Sequence, residues 1–223
     1  DNMIEYKDIK YKKERVEFDE MANNQSIRVL ICLCVDSSYS MMERMKSLNE
    51  GVQGFIREMC QDKLAVDATE ICIVSFGDKI TVDCGFNNVR KALDHRVVAN
   101  GAATRMGAGV EMALKCIDQR LQELEGHLYY LPWLIIISDG DATDPDVCKK
   151  VSEEVIRRQK NHKLKVKCLS MGEGSRTLQQ FLVNDKVDTL EDLKVMDFFS
   201  MLSRSVSSVS QESINHGEFS LDQ

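Results

Sequence analysis

The sequence predicts a doubly wound α/β domain, with a mostly parallel sheet and one antiparallel edge strand. Three observations carry this. Wholly apolar runs of strand length alternate with segments whose apolar residues recur every three or four positions. Two β-rich runs flank Gly77-Asp78, the pattern of a hairpin. The chain has 223 residues and only two prolines, which fits one domain better than two joined by a proline-rich linker.

Taken in order, residues 28–35 (RVLICLCV) read as a strand buried on both faces. Met45, Leu48, Val52, Phe55, Ile56 and Met59 mark the helix that follows. TEICIVSFGDKITVDCGF (69–86) is the hairpin, and its second arm supplies the antiparallel strand. Met106, Val110, Ala113, Leu114, Ile117, Leu121 and Leu124 mark a second long helix. Leu131 to Ser138 is another buried strand, followed by a helix with Val147, Val151 and Val155 on its apolar face. LKVKCLSM (164–171) is a further strand, with a short helix near Leu178 to Val183 and a last helix over 194–207. The domain proper is expected over 26–210. Residues 1–25 read as a solvated arm or an added edge strand, and 211–223 as a flexible Ser-rich tail.

Composition narrows the function. The chain has 43% apolar and 29% charged residues. Its net charge of −7 argues against a nucleic-acid partner, since a phosphate backbone rewards an excess of clustered Lys and Arg. The basic patch at Lys7, Lys10, Lys12, Lys13 and Arg15 is followed by an acidic one. No segment reaches the ~18 apolar residues of a membrane span, and none partners a membrane in this reading. The first fifteen residues are charged, without the apolar stretch of a secretory signal. Six of the eight cysteines fall within strands or helices, none in a C-x-x-C pair, so they read as small core hydrophobes in a cytoplasmic protein.

In a doubly wound sheet, ligands sit beyond the carboxyl ends of the strands, where the strand order reverses. Asp36-Ser37-Ser38-Tyr39-Ser40 directly follows the first strand, and Asp139-Gly140 directly follows the strand ending at Ser138. Gly101-Ala102-Ala103-Thr104 opens the second long helix. If these loops meet, one carboxylate, two or three hydroxyls and a second carboxylate converge. Such hard oxygen donors suit Mg²⁺, with Ca²⁺ or Mn²⁺ as substitutes. A site built mainly of neutral hydroxyls leaves the ion under-neutralised, able to accept an Asp or Glu carboxylate from a protein partner.

D-x-S-x-S after a first strand, a Thr at a later helix start and a strand-terminal Asp-Gly resemble the metal-ion-dependent adhesion site of von Willebrand factor A (VWA) domains. The resemblance runs from about Ile27 to Ser210. More narrowly, IIISDGDATD (135–144), GAATRMGAGVEMAL (101–114) and DFFSMLSRSVSSVS (197–210) are similar to the bacterial tellurium-resistance TerY group. The resemblance implies Asp36, Ser38 and Ser40 as direct metal ligands. It implies Thr104 as a ligand in some states and a water-mediated one in others, and Asp139 as a ligand through water. It further implies metal-dependent protein binding without catalysis, in stress-response assemblies. The departures are Tyr39 and Ala103 at places commonly Gly, and Ser138 at one commonly Thr.

Other readings compete. Asp36 or Ser40 could cap the next helix. Asp144 before Pro145 reads as a helix N-cap, and Asp141 as a solvated carboxylate. D-x-D-x-T at 139–143 matches the nucleophile motif of Mg²⁺-dependent phosphatases, where one Asp attacks phosphorus and the other protonates the leaving group. A metal-free structural domain is the third reading, with Tyr39 crowding the loop as its support.

Overall fold

The computed structural model describes residues 27–172, 176–189 and 195–215. The arm expected over 1–25 and residues 216–223 lie outside the described residues.

The strands are β1 (Val29–Asp36), β2 (Thr69–Phe76), β3 (Ile80–Asn88), β4 (Trp133–Ser138), β5 (Lys165–Ser170) and β6 (Asp188–Thr189). The helices are α1 (Met45–Gln61), α2 (Lys63–Ala68), α3 (Met106–Glu123), α4 (Pro145–Lys160), α5 (Arg176–Gln179) and α6 (Val195–Asn215). The six strands form one sheet in the order β3-β2-β1-β4-β5-β6. Only β3 is antiparallel, pairing with β2 as the hairpin pattern predicts.

Alternation along β1 sorts the core into two layers. Ile31, Leu33 and Val35 face α1 and α6, packed with Leu48, Phe55, Ile56 and Phe199. Cys32 and Cys34 face α3, α4 and α5, packed with Val110, Ile117, Val155 and Phe181. Both faces of the central strands are therefore covered, which explains why β1, β2 and β4 read as continuous apolar runs rather than alternating ones. Truncating Leu33, wholly buried, to Ala would cost about 2–5 kcal/mol. All eight cysteines are free thiols and seven are buried, packed as hydrophobes.

Several bounds differ from expectation. β4 starts at Trp133, because Pro132 just before it has no N–H to give to the ladder. The short helix lies at Arg176–Gln179, earlier than expected, started by contacts of Thr177 described below. α2 is a separate helix, its N-terminus capped by Asp62 Oδ1, which accepts from Leu64 N at 3.0 Å and Ala65 N at 3.1 Å. α6 continues to Asn215, well past 207, so the Ser-rich segment begins as helix rather than tail. Ser203 and Ser205 donate to the carbonyls of Phe199 and Met201, which lets serines sit inside a helix. No helix among the described residues is long and apolar enough to cross a membrane.

For function, one feature of the topology matters most. From β1 the chain moves outward to β2 and β3 on one side, then returns past β1 to β4, β5 and β6 on the other. The order reverses between β1 and β4. Val35 is in register with Ile137 there, so Asp36 and the residues after Ser138 leave the sheet side by side.

Candidate metal centre

The centre begins where β1 ends. Asp36 is wholly buried, as are Ser37 and, nearly, Ser38. Ser37 N donates to Phe76 O at 2.8 Å, carrying the ladder with β2 one residue beyond the strand. Asp36 Oδ1 then accepts from Ser38 N at 2.8 Å, the local bond by which an Asp turns its own backbone. The chain folds through a 3-10 turn at Tyr39–Met41 and enters α1 at Met45.

A second segment braces this turn. Asn100 N donates to Ser37 O at 2.6 Å, Asn100 Nδ2 lies 3.1 Å from Ser37 Oγ, and Tyr39 N donates to Gly101 O at 2.8 Å. Asp78, in the hairpin turn, accepts from Ala103 N at 2.9 Å. Two glycines permit this packing. Gly101 has φ +96°, and a Cβ at Gly77 would stand 2.3 Å from the Asn100 carbonyl oxygen.

Across from the turn stands the end of β4. Ser138 Oγ donates to Asp36 Oδ2 at 2.5 Å. Ser40 Oγ donates to Asp139 Oδ1 at 2.8 Å, and Ser38 Oγ and Ser40 Oγ lie 2.9 Å apart. Asp36, Ser38, Ser40 and Asp139 are thus joined, through these hydroxyls and the Ser38 N–H, in one continuous cluster of oxygens. The remaining oxygen of Asp139, Oδ2, takes a hydrogen bond from Arg44 Nη1 at 3.1 Å.

Thr104 enters through its backbone. Its N–H donates to Thr143 Oγ1 at 3.1 Å and its carbonyl accepts from Thr143 N at 2.9 Å. That pair of bonds ties the loop before α3 to the loop after Asp139. All five expected residues therefore lie on three loops bonded to one another, with Thr104 linked by way of Thr143 rather than directly to the oxygen cluster.

Burial pushes the Asp36 carboxyl above its ordinary range, and the nearby Asp139 charge pushes the same way, against hydrogen bonds from Ser138 and Ser38. Two carboxylates close together, one wholly buried, are a charge arrangement that a cation relieves. Among the described residues no three His, Cys, Asp or Glu side chains gather as a metal-ligand group, so a cation here would depend on the serine hydroxyls. That donor set of hydroxyl and carboxylate oxygens fits a hard cation such as Mg²⁺.

The competing readings can now be weighed. Ser40 does not cap α1: the cap position is Arg44, without a side-chain cap bond, and the Ser40 hydroxyl is spent on Asp139. Asp144 sits at the cap position of α4 with Pro145 next, but its carboxylate does not cap that helix. It accepts instead from Gly107 N at 3.0 Å and Ala108 N at 2.9 Å, in the first turn of α3. Asp141 is not merely solvated. Its Oδ1 accepts from Thr177 N at 3.1 Å, which starts α5. Tyr39 is 56% exposed, so its ring stands at the surface instead of crowding the loop.

Sequence reasoning missed Arg44, Asp78, Asn100 and Thr143 as builders of this site, and treated Ser138 only as a departure. The Gly77-Asp78 pair was the one available signal, read as a turn and not as a brace.

The shape has counterparts among solved structures. A von Willebrand factor type A protein from Catenulispora acidiphila superposes with a TM-score of 0.62 at 16% identity, over 82% of this chain and 43% of that one. The vWF domain of the type V pili tip protein Mfa5 from Porphyromonas gingivalis gives 0.60 at 12% identity, over 87% of this chain and 99% of that one.

The fold is that of a VWA domain.

A third VWA-like match, proximal thread matrix protein 1 from the mussel byssus, was solved with a zinc-occupied MIDAS motif, the metal-ion-dependent adhesion site. It superposes with a TM-score of 0.57 at 16% identity, over 84% of this chain and 46% of that one. This chain thus spans less than half the length of two of the three. No family model matches it, and no curated protein does. Within this fold, the Asp36–Ser40 turn and Asp139 lie beyond the carboxyl ends of the central strands β1 and β4, where the strand order reverses and ligands sit in doubly wound sheets.

Proposed function

We propose that this VWA domain binds one divalent cation, Mg²⁺ with Ca²⁺ or Mn²⁺ as substitutes, and uses it to capture a protein partner through an Asp or Glu side chain. Asp36, Ser38 and Ser40 would hold the ion directly, with Asp139 acting through a water and Thr104 directly or through water. The observation that carries the reading is the continuous cluster of Asp36, Ser38, Ser40 and Asp139 oxygens at the edge of the sheet. When bound, the ion supplies a Lewis-acid position that a partner's carboxylate can fill.

The chain's own residues set the rest. Two carboxylates and a run of neutral hydroxyls do not close the site as four or five carboxylates would. Tyr39 and Met42, both more than half exposed beside the turn, offer apolar contact around it, and Arg44 adds positive charge that favours an acidic partner. In this reading the domain acts by binding and not by catalysis, with the serine hydroxyls serving as metal donors and not as nucleophiles.

The likeness of residues 101–114, 135–144 and 197–210 to the tellurium-resistance TerY group supports placing it in a cytoplasmic bacterial stress-response assembly. The VWA-fold pilus tip protein and the zinc-holding mussel protein support metal-based protein binding more broadly.

Capture of partners from native cell extract in Mg²⁺ and in EDTA tests the proposal. Partners retained in Mg²⁺ should be lost in EDTA and lost by Asp36→Ala, while that variant keeps a native circular dichroism spectrum. Equal capture by wild type and Asp36→Ala under both conditions would overturn it.

A further inference from the structure

The Arg44 contact lies outside the pattern of hydroxyls and carboxylates that reads as a metal site, and it places a cation where the ion's charge would act. Arg44 occupies the position just before α1, one turn beyond Ser40. Its Nη1 lies 3.1 Å from Asp139 Oδ2, with the Asp139 side chain 5% exposed and that of Arg44 34% exposed. The backbone holds Arg44 in place independently: its N–H donates to Met41 O at 2.9 Å, and its carbonyl accepts from Leu48 N at 3.0 Å. The guanidinium is therefore delivered by the same turn that delivers Ser38 and Ser40.

The electrostatic consequence follows from the charge count. Asp36 and Asp139 are joined through Ser38 and Ser40, whose hydroxyls lie 2.9 Å apart, so the two carboxylates face one small cluster. A guanidinium on Asp139 offsets part of their mutual repulsion without any metal. A divalent ion drawn by the same two carboxylates meets a fixed positive charge already bonded to one of them, and like charges at such range oppose each other. Loading the site therefore requires the ion to compete with Arg44 for Asp139, or to bind against its field.

We infer that Arg44 is a built-in counter-ion of the metal centre, which stabilises the metal-free domain and holds down its affinity for divalent cations. This rests on the metal-binding reading above and adds to it the residue that sets the strength of binding. Arg44 is a positioning and tuning residue here, not a ligand.

The test compares wild type with Arg44→Met, which keeps an apolar stem of similar reach and removes the charge, and with Arg44→Gln, which retains donors. Mn²⁺ binding is followed by the loss of the free-ion electron paramagnetic resonance signal, and thermal unfolding is measured in EDTA and in Mg²⁺. Both variants should bind Mn²⁺ more tightly than wild type, by roughly fivefold or more. In EDTA their melting temperatures should fall below that of wild type, and the gap should narrow in Mg²⁺. Tighter metal binding is a result that mere loss of a packing contact does not give.

Unchanged or weaker Mn²⁺ binding in both variants, beside normal binding by wild type, would overturn this inference and leave the metal site standing. Absence of Mn²⁺ binding in wild type and variants alike would overturn the metal-binding reading, and this inference with it.

Discussion

Glu70, near the start of β2, and Asp139, just past the end of β4, are both nearly buried carboxylates at opposite ends of the sheet. Glu70 is met on both oxygens by the fork of Arg120, Nε at 2.6 Å and Nη2 at 2.7 Å, with Arg28 Nε 3.8 Å away. These three side chains are between 7 and 14% exposed. Their geometry is bidentate, so little capacity on the carboxylate is left for anything else. Asp139 is met by one hydroxyl and one guanidinium nitrogen, and its neighbour Asp36 by the Ser38 N–H and the hydroxyls of Ser138 and Ser38. One end closes its charge and the other leaves it available. The first arrangement ties strands to helix α3, and the second is the one proposed above to take a cation from solution.

Removing the partner at the closed end should have the largest effect on stability. Arg120→Met leaves Glu70 nearly buried with Arg28 alone, at a cost of about 3–5 kcal/mol in urea denaturation. Mn²⁺ affinity should not change. A parallel loss of metal binding in the refolded variant would show that the two ends are not separable.

At the open end, Asp36→Ala should shift stability in EDTA by only about 1 kcal/mol. It strands the Ser38 N–H and the Ser138 hydroxyl, but it also removes a carboxyl that burial and Asp139 disfavour as an anion. The rise in melting temperature on adding Mg²⁺ should vanish. A persistent rise would place the cation elsewhere.

A third carboxylate sharpens the contrast because it has no guanidinium fork and one oxygen buried without a partner. Asp83, on the edge strand β3, has an Oδ2 that is buried without a hydrogen-bond partner. Burial pushes its carboxyl above the ordinary range, against a hydrogen bond from Ser75. The folded chain thus holds this proton more tightly than the unfolded one. Its contribution favours folding at low pH and is lost as pH rises through the raised value. Asp83→Asn should therefore stabilise the domain at about pH 7 by of order 1 kcal/mol. The gain should disappear near pH 4, close to the unperturbed carboxylate value. An equal gain at both pH values would contradict this account.

The smallest effect concerns the thiols, which are closed off by packing instead of by charge. Cys60 is the one cysteine not buried, whereas burial and the adjacent Asp144 push Cys148 up to about 12. Iodoacetamide at about pH 8, near the ordinary thiol range, should label Cys60 in the folded protein ahead of the other seven, with no change in stability. Fast labelling of a β1 thiol would mean the sheet opens readily.

Much of this was legible in the sequence, for identifiable reasons. β1, β2 and β4 announce themselves because burial on both faces imposes near-continuous apolar runs, and Gly77-Asp78 marks the hairpin. The three loops of the candidate site were legible as neighbours because each directly follows a strand or opens a helix, where local pattern fixes position. What stayed hidden depends on side chains meeting across long stretches of chain. Arg44 finds Asp139 from 95 residues away, Asn100 braces Ser37 from 63, and Asp144 reaches α3 from 37. Asp141 and Asp144 looked like local solvated or capping groups because an Asp's sequence neighbours do not reveal which helix its carboxylate faces. The two-residue strand β6 carries too few residues for any periodicity to register.

Direct Mn²⁺ titration of wild type, Asp36→Ala and Arg120→Met, read by the free-ion paramagnetic signal, tests the central claim most directly. The account predicts saturable binding by wild type, the same affinity in Arg120→Met and none above background in Asp36→Ala. Identical titrations for wild type and Asp36→Ala would contradict it.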